Sequence, residues 1–533
     1  MDCKTLNLSY AETGFFTKLA LDYLSKDEKL QPFYNGFPSA PAIADAIERR
    51  RQVPTNRKLL VQALQQQYSA VPLSDKVTAN LALLEKETTF TTITAHQPNI
   101  FTGPFYFIYK ILHAIKLAAQ SKALYPQYDF VPVYYMGSED ADLDELGHLF
   151  IDGQKMTWNT AQAGAVGRMK VDKALLELVD RIEAQTGVEP YGREIGAVLR
   201  ACYTPGASIQ DATFGLVHFL FERFGLIVVI PDNPELKSVA AHLFKDELRN
   251  SRSAALVQAT ASELTAAGYK VQAHSRDINL FYLTDEGRHR IERSGNQWQV
   301  VDTPYIFSEA EMMQEVDAHP ERFSPNVILR PVFQEMILPN LLFVGGGGEL
   351  AYWIQLKKIF EYYKVPYPLL VLRNSFLLLN GKQAALVKKL GFGTPQLFKP
   401  LHELKNDWIR AHSANDLDME GALAGIKLLY AGLEAQAGPI DATLLRHIEA
   451  LETTATKRIT ELGKKMLRAE KRNHQDAMNQ AVKLKEQLFP LNNLQERIEN
   501  FIPFYARYGS RLIDTLYKHS LGLEQEFVVL ETV

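Results

Sequence analysis

The chain has 533 residues, 46% hydrophobic and 23% charged, with a formal net charge of −4. That is enough chain for about two to four structural units with their own cores, and the near-neutral balance excludes a global positive field that would recruit nucleic acid or an anionic membrane. The two cysteines, Cys3 and Cys202, show no metal-ligand or CxxC spacing, so a reducing, cytoplasmic setting is expected. Residues 1–7 lack a basic patch followed by an apolar run, so no signal peptide is expected. The longest apolar candidates, such as 216–230, are broken by Glu222, Arg223 and Gly225 and are unsuited to spanning a bilayer.

Residues 1–88 read as mostly helical, with helices over 42–51 and 57–68 and a loop containing Pro32, Pro38 and Pro41. The first strong strand is 89–95, rich in β-branched residues. A polar loop, 96–103, follows, and Pro104 opens a helix whose apolar positions Phe105, Ile108, Ile111, Leu112 and Ile115 share one face. The same grammar recurs. Strand 130–136 runs into the acidic loop 137–145, strand 226–230 into Pro231-Asp232-Asn233, strand 341–344 into four glycines and a helix, and 369–372 is a fifth strand. Strands alternating with helices predict a parallel sheet with both faces covered, and ligands in such sheets bind beyond the C-terminal strand ends. Residues 279–283, 288–293 and 297–301 read instead as a small antiparallel meander. From about 416 to 488 strand signals vanish. Gly438-Pro439 divides two helical runs, and in the second Leu444, Ile448, Leu451, Ala455, Ile459 and Leu462 form a narrow apolar seam, as in a coiled coil, that ends at Pro490.

Five segments are candidates for chemistry. The first is the loop beginning His96-Gln97, where free backbone N–H groups and a helix dipole favour an anion. There His96 could stabilise transferring phosphoryl or nucleotidyl groups, with Gln97, Thr102 and Gly103 as nucleotide contacts; the alternative is a capped loop with a structural histidine. The second is Ser138, Glu139, Asp140 and Asp142, with Asp144 and Glu145 beyond. These could hold an amine, act as a base or bind Mg²⁺, or be a solvated helix start. The third is Gly345, Gly346, Gly347 and Gly348 followed by Glu349, which lets backbone approach a ligand closely. It matches neither GxGxxG nor a Walker loop, and its alternative is a flexible turn. Fourth, Arg330 near Gln334, and Arg373 after the fifth strand, could clamp carboxylate or phosphate, or be structural ion pairs. Fifth, the basic residues between Lys457 and Lys485 read as a solvated helix face, with no aromatics interleaved for nucleic acid.

Taken together and in order from about residue 90, these segments resemble the bacillithiol biosynthesis cysteine-adding enzyme family, BshC. The resemblance rests on 96–104 with Tyr109 and Lys110, Ser138-Glu139-Asp140 with Asp142, and 164–169. It continues through 324–327, Arg330-Pro331-Val332, Gly345, Gly346, Gly348, Glu349 and Ala351-Tyr352-Trp353, then 494–497 and Tyr508-Gly509. It implies an α/β fold: a Rossmann-like parallel-sheet core with inserted connecting segments, similar to class I aminoacyl-tRNA synthetase cores, plus a C-terminal α-helical coiled coil that forms a homodimer. The expected division is a core over 1–400, a coiled-coil domain over 401–500 and a segment, 501–533, returning to the core. The implied activity joins L-cysteine to glucosaminyl-malate through an amide bond, making bacillithiol. Because a carboxylate must be activated, ATP or another nucleotide is the expected cofactor, with Mg²⁺ as an option. On residue chemistry, His96, Glu139, Asp140 and Asp142 are assigned to catalysis. Ser138, Arg330, Gln334, Tyr352, Trp353 and Arg373 are assigned to substrate, and the 97–103 and 345–349 residues above to nucleotide. The alternatives are another ATP-dependent ligase or nucleotidyltransferase on the same core, and a non-catalytic coiled-coil scaffold.

Overall fold

Apolar, β-branched runs with little alternation belong in sheets buried on both faces, and five of them form the central sheet here. Its strands are β1 (Thr89–His96), β2 (Asp129–Met136), β3 (Ile227–Val229), β4 (Asn340–Gly345) and β5 (Leu369–Leu372). In this computed structural model, which describes residues 3–532, they pair in the order β5-β4-β1-β2-β3, all parallel. Met1 and Asp2 of the N-terminal stretch and Val533 of the C-terminal segment lie outside the described residues. The chain moves outward from β1 through β2 to β3, then returns to the other side of β1 for β4 and β5. The strand order therefore reverses between β1 and β4, and a crevice opens there beyond the carboxyl ends. His96 ends β1 and Gly345 ends β4, so register alone brings the two candidate loops to that crevice.

Helix Tyr106–Leu124 follows β1 and is buried over most of its circumference. Ala114, Leu117 and Ala118 from it pack with Phe90, Leu342, Val344, Leu369 and Val371 in one core cluster. The meander is larger than its sequence signal. Ile306–Ser308, Gln297–Val300, Arg288–Ser294, Leu280–Leu283 and Phe323–Pro325 form a five-stranded antiparallel sheet in that order. Its two outer members are only three residues long, too short to show periodicity. Residues 1–88 are not purely helical either. Cys3–Leu8 pairs antiparallel with Phe527–Thr532, and Ser375–Leu379 completes that sheet. The partner lies at the far end of the chain, where no local pattern reveals it.

The chain separates into two compact units, one of 3–11, 15–378 and 493–532, the other of 12–14 with 379–492. The division thus falls earlier at both ends than the expected 400 and 500. Within the second unit, helix Gly381–Leu390 packs on helix Gln475–Leu488, and the Lys485 ammonium donates to the Leu397 carbonyl (2.5 Å), which ties 381–398 to the helical part. Helices Glu420–Ala437 and Thr443–Asn473 lie against each other. Among the described residues no helix is long and apolar enough to cross a membrane.

Candidate active site at the strand-order reversal

A cleft of about 700 Å³ lies at the reversal point, wholly within the first unit. Its walls include His96 and Gln97 after β1, Ser138, Glu139 and Asp140 after β2, and Gly346, Gly347, Gly348 and Glu349 after β4. Arg330, Tyr352 and Arg373 also line it, as do Tyr106, Arg288 and Arg497. Segments more than 400 residues apart in sequence thus share one cavity.

The His96 imidazole packs against the Tyr106 and Phe107 rings (5.5 and 5.4 Å between centroids). Its Nε2 is buried with no hydrogen-bond partner among the described residues. Burial, reinforced by the positive charges of Lys110 and Arg373, holds its pKa well below the ordinary value, so the ring is neutral at pH 7 and suited to one hydrogen bond rather than a full charge. Gln97 Nε2 donates to Asp140 Oδ2 (3.1 Å). Asp140 has no cation within ion-pair distance among the described residues, and it lines the cleft.

Glu139 differs. It is 8% exposed, is ion-paired with Lys237, and accepts from Ser324 Oγ (3.2 Å). Lys237 also meets Asp232 (3.1 Å), which the Arg168 guanidinium grips with two nitrogens (2.6 and 2.7 Å). Burial raises the Glu139 carboxyl while Lys237 opposes it, and the same cations pull Asp232 down to about 2 although burial acts the other way. Glu139 lines the cleft, but its carboxylate is engaged by Lys237 and Ser324, so it braces the β2 loop as well as facing the cavity. Gly167 fits beneath that loop, because a Cβ there would stand 2.7 Å from Ser138 Cβ. Ser138 Oγ is buried without a partner. The catalytic assignment of Asp142 is corrected. It is exposed, lies away from the cleft walls, and caps helix Leu143–Leu146 by accepting from Glu145 N (3.0 Å).

The glycine loop is pinned from below. Lys110 donates to Glu349 Oε2 (2.7 Å) and to the Ala95 carbonyl (2.5 Å), and Gly346 N–H donates to the same Glu349 oxygen (2.8 Å). A Cβ at Gly348 would meet nothing within 4 Å, and at Gly347 only Ala20 at 3.7 Å. Neither glycine has a positive φ. Protein packing does not require them, so a smooth backbone facing the cleft is their remaining physical use. Gly345 is different, since a Cβ there would press on Glu349 and Phe343 at 2.9 Å. It is a packing residue, not a ligand contact.

The loop after β1 overturns a larger expectation. Phe101, Thr102 and Gly103 run through positive φ and are buried. Phe101 N–H donates to the Tyr203 hydroxyl (2.7 Å), and the Asn500 amide donates to the Phe101 and Gly103 carbonyls (2.9 and 2.6 Å). Phe105 N–H is taken by the Glu499 carbonyl (2.7 Å). This helix start is sealed by the C-terminal segment, so Thr102 and Gly103 do not reach a nucleotide in the cleft.

Arg330 donates to Gln334 Oε1 (3.0 Å) and the Tyr352 hydroxyl (2.9 Å) and lies over the Tyr135 ring (5.5 Å). Both hydrogen-bond partners are neutral, so its charge remains available to an anion. Gln334 itself is fully buried and serves as that brace rather than a substrate contact. Trp353 is likewise corrected: it is fully buried among Phe343, Phe360 and Tyr367. Arg373 lines the cleft, but its guanidinium is ion-paired with Glu496 (2.6 Å) and donates to Ser375 Oγ (3.1 Å), the structural alternative. No group of three or more His, Cys, Asp or Glu side chains among the described residues is arranged to hold a metal.

Lys110, Arg168, Asp232, Lys237, Arg288 and Arg497 were not singled out as site residues from the sequence. Lys110, Arg168 and Arg497 lie in segments that carried the family resemblance, but Glu349 and Asp232, the partners of Lys110 and Arg168, are distant in sequence and so did not show.

A family model described as "Bacillithiol biosynthesis BshC, N-terminal Rossmann-like domain" matches residues 1–374, and "Bacillithiol biosynthesis BshC, C-terminal coiled-coil domain" matches 376–532. Two relatives named "Putative cysteine ligase BshC" are similar over nearly their whole length. The one from Flavobacterium psychrophilum is 38% identical over 527 residues, covering 98% of this chain and 99% of its own. The one from Christiangramia forsetii is 38% identical over 530 residues, covering 98% of both. Sheet, cleft and long helices define a Rossmann-like α/β protein with a C-terminal coiled-coil domain. The chain belongs to the bacillithiol biosynthesis BshC family.

Proposed function

We propose that the chain is a ligase that forms an amide bond between the carboxylate of L-cysteine and the amine of glucosaminyl-malate, the last step of bacillithiol synthesis. The relatives' name, cysteine ligase, and the family's biosynthetic role support the cysteine and the thiol product. The observation that carries the reading is the presence, in one cleft, of an arginine and a carboxylate, Arg330 and Asp140, that are in no ion pair among the described residues. Arg330 suits a carboxylate of the malyl group. Asp140 suits the sugar amine, first holding it and then accepting its proton.

Bound ATP or a related nucleotide would supply the activation that amide formation from a free carboxylate requires. The residues present fit such a group. Gly346, Gly347 and Gly348 offer backbone without side-chain bulk, and His96 Nε2 has no hydrogen-bond partner among the described residues. A neutral His96 can donate to an oxyanion without contributing a charge that burial would oppose. Asp140 can hold the amine where it meets the activated carboxylate, and Arg330 fixes the other end of the acceptor, so orientation supplies part of the rate.

The test is to incubate purified protein with L-cysteine, glucosaminyl-malate, ATP and Mg²⁺ and to read bacillithiol by mass spectrometry. In cells lacking the protein, glucosaminyl-malate is expected to accumulate and bacillithiol to be absent; an unchanged thiol profile rejects the reading. Nucleotide turnover independent of cysteine would favour a different ligase on the same core.

A further inference from the structure

The cationic side chains of the cleft are not equally compensated. Arg373 has Glu496. Arg288 donates to Ser324 Oγ (3.1 Å) and the Pro325 carbonyl (3.3 Å) and stacks on Phe281 (4.0 Å). Arg330 has Gln334 and Tyr352. Arg497 lines the same cleft, yet among the described residues its guanidinium makes no side-chain hydrogen bond and has no acid within ion-pair distance, and its Nε is buried without a partner. The adjacent carboxylate, Glu496, is already taken by Arg373, Ser375 Oγ and Phe376 N–H. Burial and the neighbouring positive charge of Arg373 disfavour the charged form of Arg497 and outweigh the attraction of Glu496 and Tyr106, so its pKa is lowered.

The turn that carries Arg497 is fixed in place. Glu496 is fully buried in the bonds just named. Gln495 accepts from Leu378 N–H (3.2 Å) and donates to the Leu378 carbonyl (3.3 Å). A guanidinium that is partly desolvated, carried on a fixed turn and held by no hydrogen bond or ion pair raises the free energy of the folded state unless something anionic meets it. We propose that Arg497, at the Tyr106 side of the cleft, forms an oxyanion subsite separate from Arg330 and takes a carboxylate or phosphate group of a bound molecule. This deepens the ligase reading, whose nucleotide and malyl moieties both bring such groups, and it commits to the shared oxyanion chemistry.

The experiment titrates wild type, Arg497→Gln and Arg497→Lys with inorganic pyrophosphate and with L-malate by calorimetry, and melts each variant. Arg497→Gln is expected to lose about tenfold or more in affinity for at least one probe, the scale of a lost charge-assisted hydrogen bond. Arg497→Lys should retain part of it, because the charge stays while the planar fork goes. The probe that weakens identifies the source of the oxyanion. The melting temperature of Arg497→Gln is expected to equal or exceed that of wild type, which a structural arginine would not give. Unchanged affinity for both probes, or wild-type protein that binds neither, overturns the proposal. Amide formation is measured separately, so the ligase reading can fail while anion binding persists, and the reverse.

Discussion

Lys110 decides more of the site than its place on a buried helix suggests. At 1% exposure its ammonium is stable only because Glu349 and the Ala95 carbonyl meet it; burial pulls its pKa down and Glu349 pushes it back up. It thereby couples the end of β1 to the loop after β4. Lys110→Met should cost about 3–5 kcal/mol in urea unfolding, as breaking one side of a buried pair does, and should also loosen Gly346. Glu349→Gln should cost part of the same energy, and the double variant less than the sum, which a double-mutant cycle reads directly. Arg330→Ala has a different expected signature: a KM for the anionic acceptor raised about tenfold or more with little change in unfolding, since its protein partners are neutral. A third residue links stability to pH. Burial lifts the Glu499 carboxyl to about 7, with the Gly153 N–H opposing and Asp152 adding repulsion. Its folded pKa exceeds the unfolded one, so its contribution is fully present below about pH 4.5 and lost as pH rises towards 7. Glu499→Gln should therefore gain on wild type across that window, by up to about 3 kcal/mol. A stability difference that stays flat between pH 4.5 and 7 would show that Glu499 ionises normally.

The glycines of two loops make opposite predictions. Gly167→Ala should destabilise strongly, because the new methyl meets Ser138 from below. Gly348→Ala should leave stability unchanged or raise it by up to about 1 kcal/mol, since Gly348 lies in the first turn of helix Gly347–Ile354 and alanine is the better helix former. If the loop lies along a ligand, the same substitution lowers turnover, and thermal melts beside activity separate the two effects. What was legible in the sequence follows from locality. The five parallel strands showed because each carries its own apolar, doubly buried run. The glycine loop showed because four glycines in a row are visible without any partner. The sealing of the helix start after β1 did not, since Asn500 and Glu499 arrive from about 400 residues away. For the same reason the ion pairing of Glu139 did not show: nothing near it in sequence announces Lys237. Charged groups reveal their type from sequence but not whether another charge has already claimed them, and that distinction separates Arg373 from Arg330.

Across the whole molecule, the helical unit leaves apolar surface that its own packing does not use. Helices Glu420–Ala437 and Thr443–Asn473 pack together, yet Leu428 is 76% exposed, Leu429 60% and Ile440 79%. Leu444, Leu451 and Leu462, members of the seam read from sequence, are partly exposed. An apolar stripe along paired helices is what a coiled-coil partner covers, and a second copy of the chain is the occupant expected from the sequence. In a two-fold pairing each substitution acts twice. Burying one leucine contributes about 1.5–3 kcal/mol, so replacing Leu428 and Leu429 together by Glu should weaken self-association by well over about a hundredfold. Light scattering at about 10 μM should then report a dimer for wild type and a monomer for the double variant, while circular dichroism stays unchanged because these side chains face solvent in the single chain. A wild-type protein that is monomeric at that concentration would remove the dimer without touching the cleft, since the cleft is walled entirely by the first unit.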